Sequence, residues 1–218
     1  MPIKAIVFDF DGVLADSEPL HLRTYQELFA PAGVSLTKEQ YCARYLGFDD
    51  EGVFRQVASD YGLLLGDEEI EMLIAEKGRR FEALVAGTDV LYGGAAACVR
   101  RLSAHWPIGI ASGALRRDIE LMLRGAGLDG AFRFIVASGD TERTKPAPDP
   151  YLRAAELHGV DPARCAAIED SHWGLQSARG AGMRTIAVTH TYSREKLTEA
   201  DVVVDSLDAI TAEFVRRL

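Results

Sequence analysis

Short runs of apolar, largely β-branched residues recur along the chain, and each stops at acids, glycine or a hydroxyl. The first, IKAIVF over 3–8, ends at Asp9 and reads as a buried strand. The pattern returns in PIGIA (107–111), FRFIVA (132–137), CAAIE (165–169), RTIAVT (184–189) and DVVVD (201–205). Between these runs the apolar positions take helical spacing: GAAACVRRLSAH (94–105), LRRDIELMLRGAG (115–127), YLRAAELHG (151–159) and WGLQSARGAG (173–182). Several end at Gly, the usual residue just past a helix C-terminus. Strands alternating with helices predict an α/β fold, a parallel sheet with helices on both faces.

Residues 17–90 break that rhythm. HLRTYQELFAPAG, DEGVFRQVASDYG and DEEIEMLIAEKGRRFEALVAG all show helical spacing, with no strand among them. We read an inserted all-helical domain over 16–91, and a core built from 1–15 and 92–218.

Length and composition narrow the function. The chain has 218 residues, enough for a sizeable core without disulfides or metal staples. Its hydrophobic (48%) and charged (26%) fractions are those of a globular protein, not of a disordered or fibrous one. The net charge of -9 and the lack of a basic stripe argue against a nucleic-acid partner. No uncharged apolar run approaches the ~20 residues of a membrane span, and the N-terminal MPIKAIVFDFDG lacks the features of a signal peptide. Cys42, Cys98 and Cys165 are far apart and odd in number, so no disulfide framework or zinc ribbon is expected. The expectation is a reduced, cytoplasmic protein, with a monomer the plain choice.

Four places bear chemistry. In Phe8-Asp9-Phe10-Asp11-Gly12, two carboxylates sit two apart at a strand end, where open α/β sheets bind ligands. Their repulsion there is relieved by a shared cation, and hard oxygen donors suit Mg²⁺; a solvated Asp-Gly turn would read the same. Ser112-Gly113 lies between a strand and a helix, as a phosphate-holding hydroxyl and amide or as a helix cap. Lys145 opens the stiff, proline-rich KPAPDP loop, as a fixed charge for a phosphate or as a solvated connector residue. Glu169-Asp170 ends the CAAI strand, where acids are otherwise depleted, as a second charged pair or as caps of the next helix.

Acid pair, hydroxyl, lysine and acid pair in that order, each at a strand end, resemble the haloacid dehalogenase superfamily over the whole chain. DFDGVLADSEPLH and KPAPDPYLRAA…IEDSHWGLQSARGAGM are similar to its branch of β-phosphoglucomutases and small sugar-phosphate or phosphoglycolate phosphatases. The resemblance implies a Rossmann-like core and a helical cap that closes over the site. It implies Asp9 as nucleophile and Asp11 as general acid and base. It implies Mg²⁺ held by Asp9, the Asp11 carbonyl and Asp170 with Glu169 beside them, and phosphoryl oxygens held by Ser112, Gly113 and Lys145. The partner it implies is a small phosphorylated metabolite.

Candidate cap contacts are His21, Arg44, the turn Leu46-Gly47-Phe48, and Lys77. Arg44 and Lys77 read more readily as solvated helix charges than as ligands, and His21 equally as a partly buried helix residue. The mutases carry an Arg after the glycine turn that grips a second phosphate. This chain has Asp49 and Asp50 there, which favours hydrolysis over isomerisation. Dehalogenation, the metal-free rival, has no use for Asp11 or the Glu169-Asp170 pair, and a catalytically silent binding module would not need the set at all. Gly125 to Gly130 fits G-x-G-x-x-G but closes a helix, so it reads as a cap and turn. Trp106 and Trp173 read as packing residues.

Overall fold

Each apolar run read as a strand contains one. The computed structural model describes every residue except Gly47 and Gly87. In chain order its elements are β1 (Ala5–Phe8), α1 (Glu18–Phe29), α2 (Lys38–Arg44), α3 (Asp50–Tyr61), α4 (Asp67–Val85), α5 (Ala95–Ser103), β2 (Ile108–Ala111), α6 (Arg116–Gly125), β3 (Ile135–Val136), α7 (Asp149–His158), β4 (Cys165–Glu169), α8 (His172–Gly180), β5 (Arg184–Val188), β6 (Val202–Val204) and α9 (Ala212–Arg216). They fall into two units: Met1–Asp16 with Asp89–Leu218, and Ser17–Thr88.

The first unit holds one parallel sheet in the order β3-β2-β1-β4-β5-β6. β1 is central, with Phe8 opposite Ile110 on one side and Ile168 on the other. β1, β2 and β4 are buried at every position, which is why they read as unbroken apolar runs instead of alternating ones. Successive side chains still take opposite faces. Ala5, Val7 and Ala167 pack with Tyr151, Ala154 and Ala155 of α7 and Ala178 of α8, which leaves Ile6 and Phe8 to the other face. The topology turns at β1, whose neighbours β2 and β4 lead to opposite edges, and the crevice at such a turn is where sheets of this order hold ligands.

β3 is shorter than the FRFIVA run. It is an edge strand with one neighbour, and the run's aromatic residues are engaged in packing. Phe132 meets Phe8 edge-on at 6.0 Å between ring centroids, and the Phe134 ring occupies the space a β-carbon on Gly109 would need.

After β1 the chain turns at Gly12, whose positive φ of 77° suits glycine. The Phe10 carbonyl accepts the Leu14 and Ala15 amides at 2.8 and 3.0 Å. Ala15 then bridges to Leu91, and the Asp16 amide donates to the Val90 carbonyl at 2.8 Å. Outgoing and returning segments thus lie side by side.

The second unit is helical. Leu22, Tyr25, Phe29, Tyr41, Val53, Phe54, Val57 and Ile70 form its core. Thr37 and Gln40 make a capping box on α2, and Asp49 caps α3 by accepting the Gly52 amide. Helix α2 was not expected from the sequence; it is short and buries only Tyr41. No helix is long and apolar enough to cross a membrane among the described residues.

His158 ends α7 against the Phe134 ring at 4.5 Å between centroids, with neither ring nitrogen hydrogen-bonded. Burial holds its pKa below the usual 6.5 against an upward pull from the Ile6 backbone, with the Arg133 charge a smaller push downward. The unfolded chain therefore binds a proton that the folded one refuses, and stability is lost as pH falls below 6.5. The stability of the wild type relative to His158→Leu is expected to decline between pH 7.5 and 5 in urea titrations. A constant difference would show that His158 does not titrate on unfolding.

Candidate active site

Asp9 stands one residue beyond β1, and its amide still donates to the Ile168 carbonyl of β4 at 2.9 Å. β4 ends at Glu169, with Asp170 next. Adjacent parallel strands thus deliver three carboxylates to one end of the sheet. Asp9, Glu169 and Asp170 are all buried, and each offers an oxygen within 4.8 Å of the others. Such a cluster needs positive charge.

Lys145 supplies one. From the loop before α7 its Nζ lies 3.0 Å from Asp9 Oδ1 and 2.7 Å from Glu169 Oε1. The Phe10 amide also donates to Asp9 Oδ1, at 2.7 Å. Glu169 is more firmly held. Its Oε1 accepts the Tyr151 hydroxyl at 2.6 Å, and its Oε2 accepts the Asp170 amide at 3.2 Å and the Ser171 hydroxyl at 3.3 Å.

Burial and the Glu169 charge push the Asp9 carboxyl well above the carboxylate range, although Lys145 opposes them. Burial and Glu169 likewise raise Asp170 to about 7. Burial alone would depress Lys145, but Asp9 and Glu169 outweigh it and hold the ammonium above its ordinary value. One lysine faces three crowded acids, whose burial and mutual repulsion raise Asp9 and Asp170, and the donors are all hard oxygens. Both properties fit a divalent cation of the Mg²⁺ kind.

Two glycines keep the cluster in place. A β-carbon on Gly174, in the first turn of α8, would fall inside the Glu169 carboxylate, and one on Gly12 would strike the Asp170 carboxylate and the Thr191 hydroxyl. The Thr191 hydroxyl lies beside the Asp170 carboxyl and favours its ionised form, against burial and Glu169. His190 Nδ1 lies 3.0 Å from the Gly12 carbonyl, and its ring stacks on Tyr92 at 4.0 Å.

The other residues singled out from the sequence are distributed as follows. Asp11 lies in the Gly12 turn; its carboxylate is not one of the three clustered ones. Ser112 follows β2, the neighbour of β1; its amide donates to Val136 and its hydroxyl oxygen accepts the Ala114 amide at 3.1 Å. Gly113 is exposed, with open space around its α-carbon. In the helical unit Lys77 is not a solvated charge. It is 2% exposed, 2.8 Å from Asp50 Oδ1, which also accepts the Tyr25 hydroxyl at 2.6 Å. His21 stacks on Phe81 at 4.1 Å; burial, with Lys77 nearby, lowers its pKa to about 3. Arg44 is exposed and pairs with Asp60 at 2.8 Å, and Phe48 is exposed. Gly47 lies outside the described residues. Trp173, expected to pack, is half-exposed beside His172.

Sequence reading missed Tyr151, Thr191 and His190. The one available signal was a large aromatic at the start of the helical run YLRAAEL, just after the proline-rich loop that carries Lys145.

A family model for haloacid dehalogenase-like hydrolases matches residues 3–182. The chain belongs to that family. Among its relatives is Protein CbbY of Rhodobacter capsulatus, 31% identical, with all of both chains covered. N-acetylmuramic acid 6-phosphate phosphatase of Pseudomonas aeruginosa is 30% identical over 94% of this chain and 92% of its own. The crystal structure of CbbY from Rhodobacter sphaeroides in complex with phosphate superposes with a TM-score of 0.85 at 29% identity, covering 99% of this chain and 100% of that one. A Rossmann-like parallel sheet with helices on both faces is thus the haloacid dehalogenase-like core, as the motifs implied.

Proposed function

We propose that this hydrolase is a Mg²⁺-dependent phosphomonoesterase acting on a small phosphorylated metabolite through an aspartyl-phosphate. The observation that carries the reading is the half-buried Lys145 bridging the buried Asp9 and Glu169 at the ends of adjacent strands. CbbY binding phosphate and the muramic acid phosphate phosphatase support the same chemistry.

Asp9 Oδ1 is occupied by the Phe10 amide and Lys145, so attack on phosphorus falls to Oδ2. The bond from phosphorus to the ester oxygen breaks as the bond to Oδ2 forms. Asp11 gives its proton to the departing alkoxide, then takes one from the water that attacks the aspartyl-phosphate. The products are the alcohol and inorganic phosphate, and Asp9 is regenerated. Lys145, the Ser112 hydroxyl and the Gly113 amide bind the phosphoryl oxygens. Asp9, Asp170 and the Asp11 carbonyl, with Glu169 beside them, would hold Mg²⁺. When bound, that cation keeps the carboxylates ionised and offsets their repulsion of an anionic phosphate.

The helical unit favours hydrolysis over a mutase reaction. The cations available to grip a second phosphate are already paired: Lys77 with Asp50, Arg44 with Asp60, and Arg55 with Glu51 and Asp67.

Purified protein with Mg²⁺ is expected to release phosphate from p-nitrophenyl phosphate, and EDTA to abolish the release. A panel of sugar phosphates and phosphoglycolate scored for free phosphate would then rank substrates. Halide release that survives EDTA would point to dehalogenation. Conversion of β-glucose 1-phosphate to the 6-phosphate without phosphate release would point to the mutase. Inertness in all of these assays would leave the silent module.

A further inference from the structure

We infer that Tyr151 is a positioning residue for phosphoryl binding, acting through Glu169 on Lys145; the inference rests on the phosphomonoesterase reading. Tyr151 lies in the first turn of α7 and is fully buried. Its ring belongs to a layer made mostly of alanines, among them Ala5, Ala111, Ala154 and Ala167. A phenol hydroxyl in such a layer needs a partner. The partner is Glu169 Oε1 at 2.6 Å, the same oxygen that accepts Lys145 Nζ at 2.7 Å. The ammonium also stands 5.0 Å from the centroid of the Tyr151 ring. One side chain therefore touches both members of the Lys145–Glu169 ion pair.

The shared oxygen gives this arrangement its consequence. Substrate draws Lys145 toward the phosphoryl oxygens and away from its present acceptors. Without the phenol, Glu169 Oε1 would then lose its remaining donor and the carboxylate would be free to turn about its last bond. With the phenol, Oε1 keeps a donor while Oε2 keeps the Asp170 amide and Ser171 hydroxyl. Glu169 stays in one orientation, and Lys145 is returned to one place. A phenylalanine would pack equally well against the alanines and could not do this.

The test is Tyr151→Phe. Binding of inorganic phosphate in the presence of Mg²⁺ is measured by calorimetry, together with Mg²⁺ affinity, thermal melting, and kcat and KM on p-nitrophenyl phosphate. Loss of one hydrogen bond to a charged group predicts phosphate affinity weaker by about tenfold and kcat/KM lower by a similar factor. Mg²⁺ affinity is expected to fall by less than phosphate affinity, since the phenol hydrogen-bonds Glu169 and the cation's other carboxylates, Asp9 and Asp170, keep their places. In a Glu169→Gln background the same substitution is expected to add less than about twofold, because the two act as one unit. Phosphate affinity and kcat/KM within twofold of wild type would reduce Tyr151 to a packing residue. A full additional loss in the Gln background would show that it acts by another route. Phosphate affinity needs no turnover, so an inert wild type would overturn the phosphatase reading while the Phe variant still decides the role of Tyr151.

Discussion

Asp9→Asn is expected to abolish turnover without harming the fold. Removing a nucleophile that no neighbour can replace costs on the order of 10³-fold or more in kcat. The amide keeps an oxygen that can accept from the Phe10 amide and Lys145, the bonds now made by Asp9 Oδ1. Stability should move the other way. The Asp9 carboxyl is pushed up by burial and by Glu169. An acid whose folded pKa lies above its unfolded value favours the native state when protonated and loses that contribution as pH rises through the folded pKa. In EDTA at pH 8 the variant is therefore expected to melt at or above the wild-type temperature. Steady-state hydrolysis of p-nitrophenyl phosphate with Mg²⁺ gives the first readout and a melting curve the second. Turnover within tenfold of wild type would remove Asp9 as nucleophile.

Lys145→Met should damage both properties. Methionine fills much of the volume and brings no charge. Phosphoryl oxygens lose a donor, which costs about 10²–10³-fold in kcat. The protein also loses the counter-charge to Asp9 and Glu169, whose side chains are 12% and 0% exposed. Breaking a buried pair by removing one partner typically costs about 3–5 kcal/mol. The deficit is expected to depend on pH. Asp9 and Asp170 already favour the protonated form in the fold, so at pH 5.5 they take up protons and lessen the repulsion, while at pH 8 the full cost appears. Guanidinium titrations at both values check this, and Mg²⁺ at pH 8 should restore part of the loss. A deficit that shrinks as pH rises would contradict the electrostatic account.

The strands were legible because the sheet is buried on both faces. Runs such as IKAIVF and CAAIE have few other uses in a chain this polar. The carboxylates were legible because their chemistry is local: an acid pair after a buried run is costly unless something compensates. Tyr151 and Thr191 were not legible, because their partners Glu169 and Asp170 come from a different element and nothing in the local pattern names them. Lys77 was misread for a related reason. Its compensating acid, Asp50, begins another helix, and base rates place an isolated lysine in water. Helix α2 lacked the apolar stripe that periodicity detects, and its capping box was its one strong signal.

The paired backbone at Ala15–Leu91 and Asp16–Val90 also bears on how this protein can change. A chain that leaves and re-enters its sheet domain at neighbouring points can lose, trade or lengthen the intervening segment without shifting the register of β1. Natural variation and laboratory splicing meet the same permissive joint. Chimaeras cut there would inherit the acidic cluster whole from one parent and the helices from another.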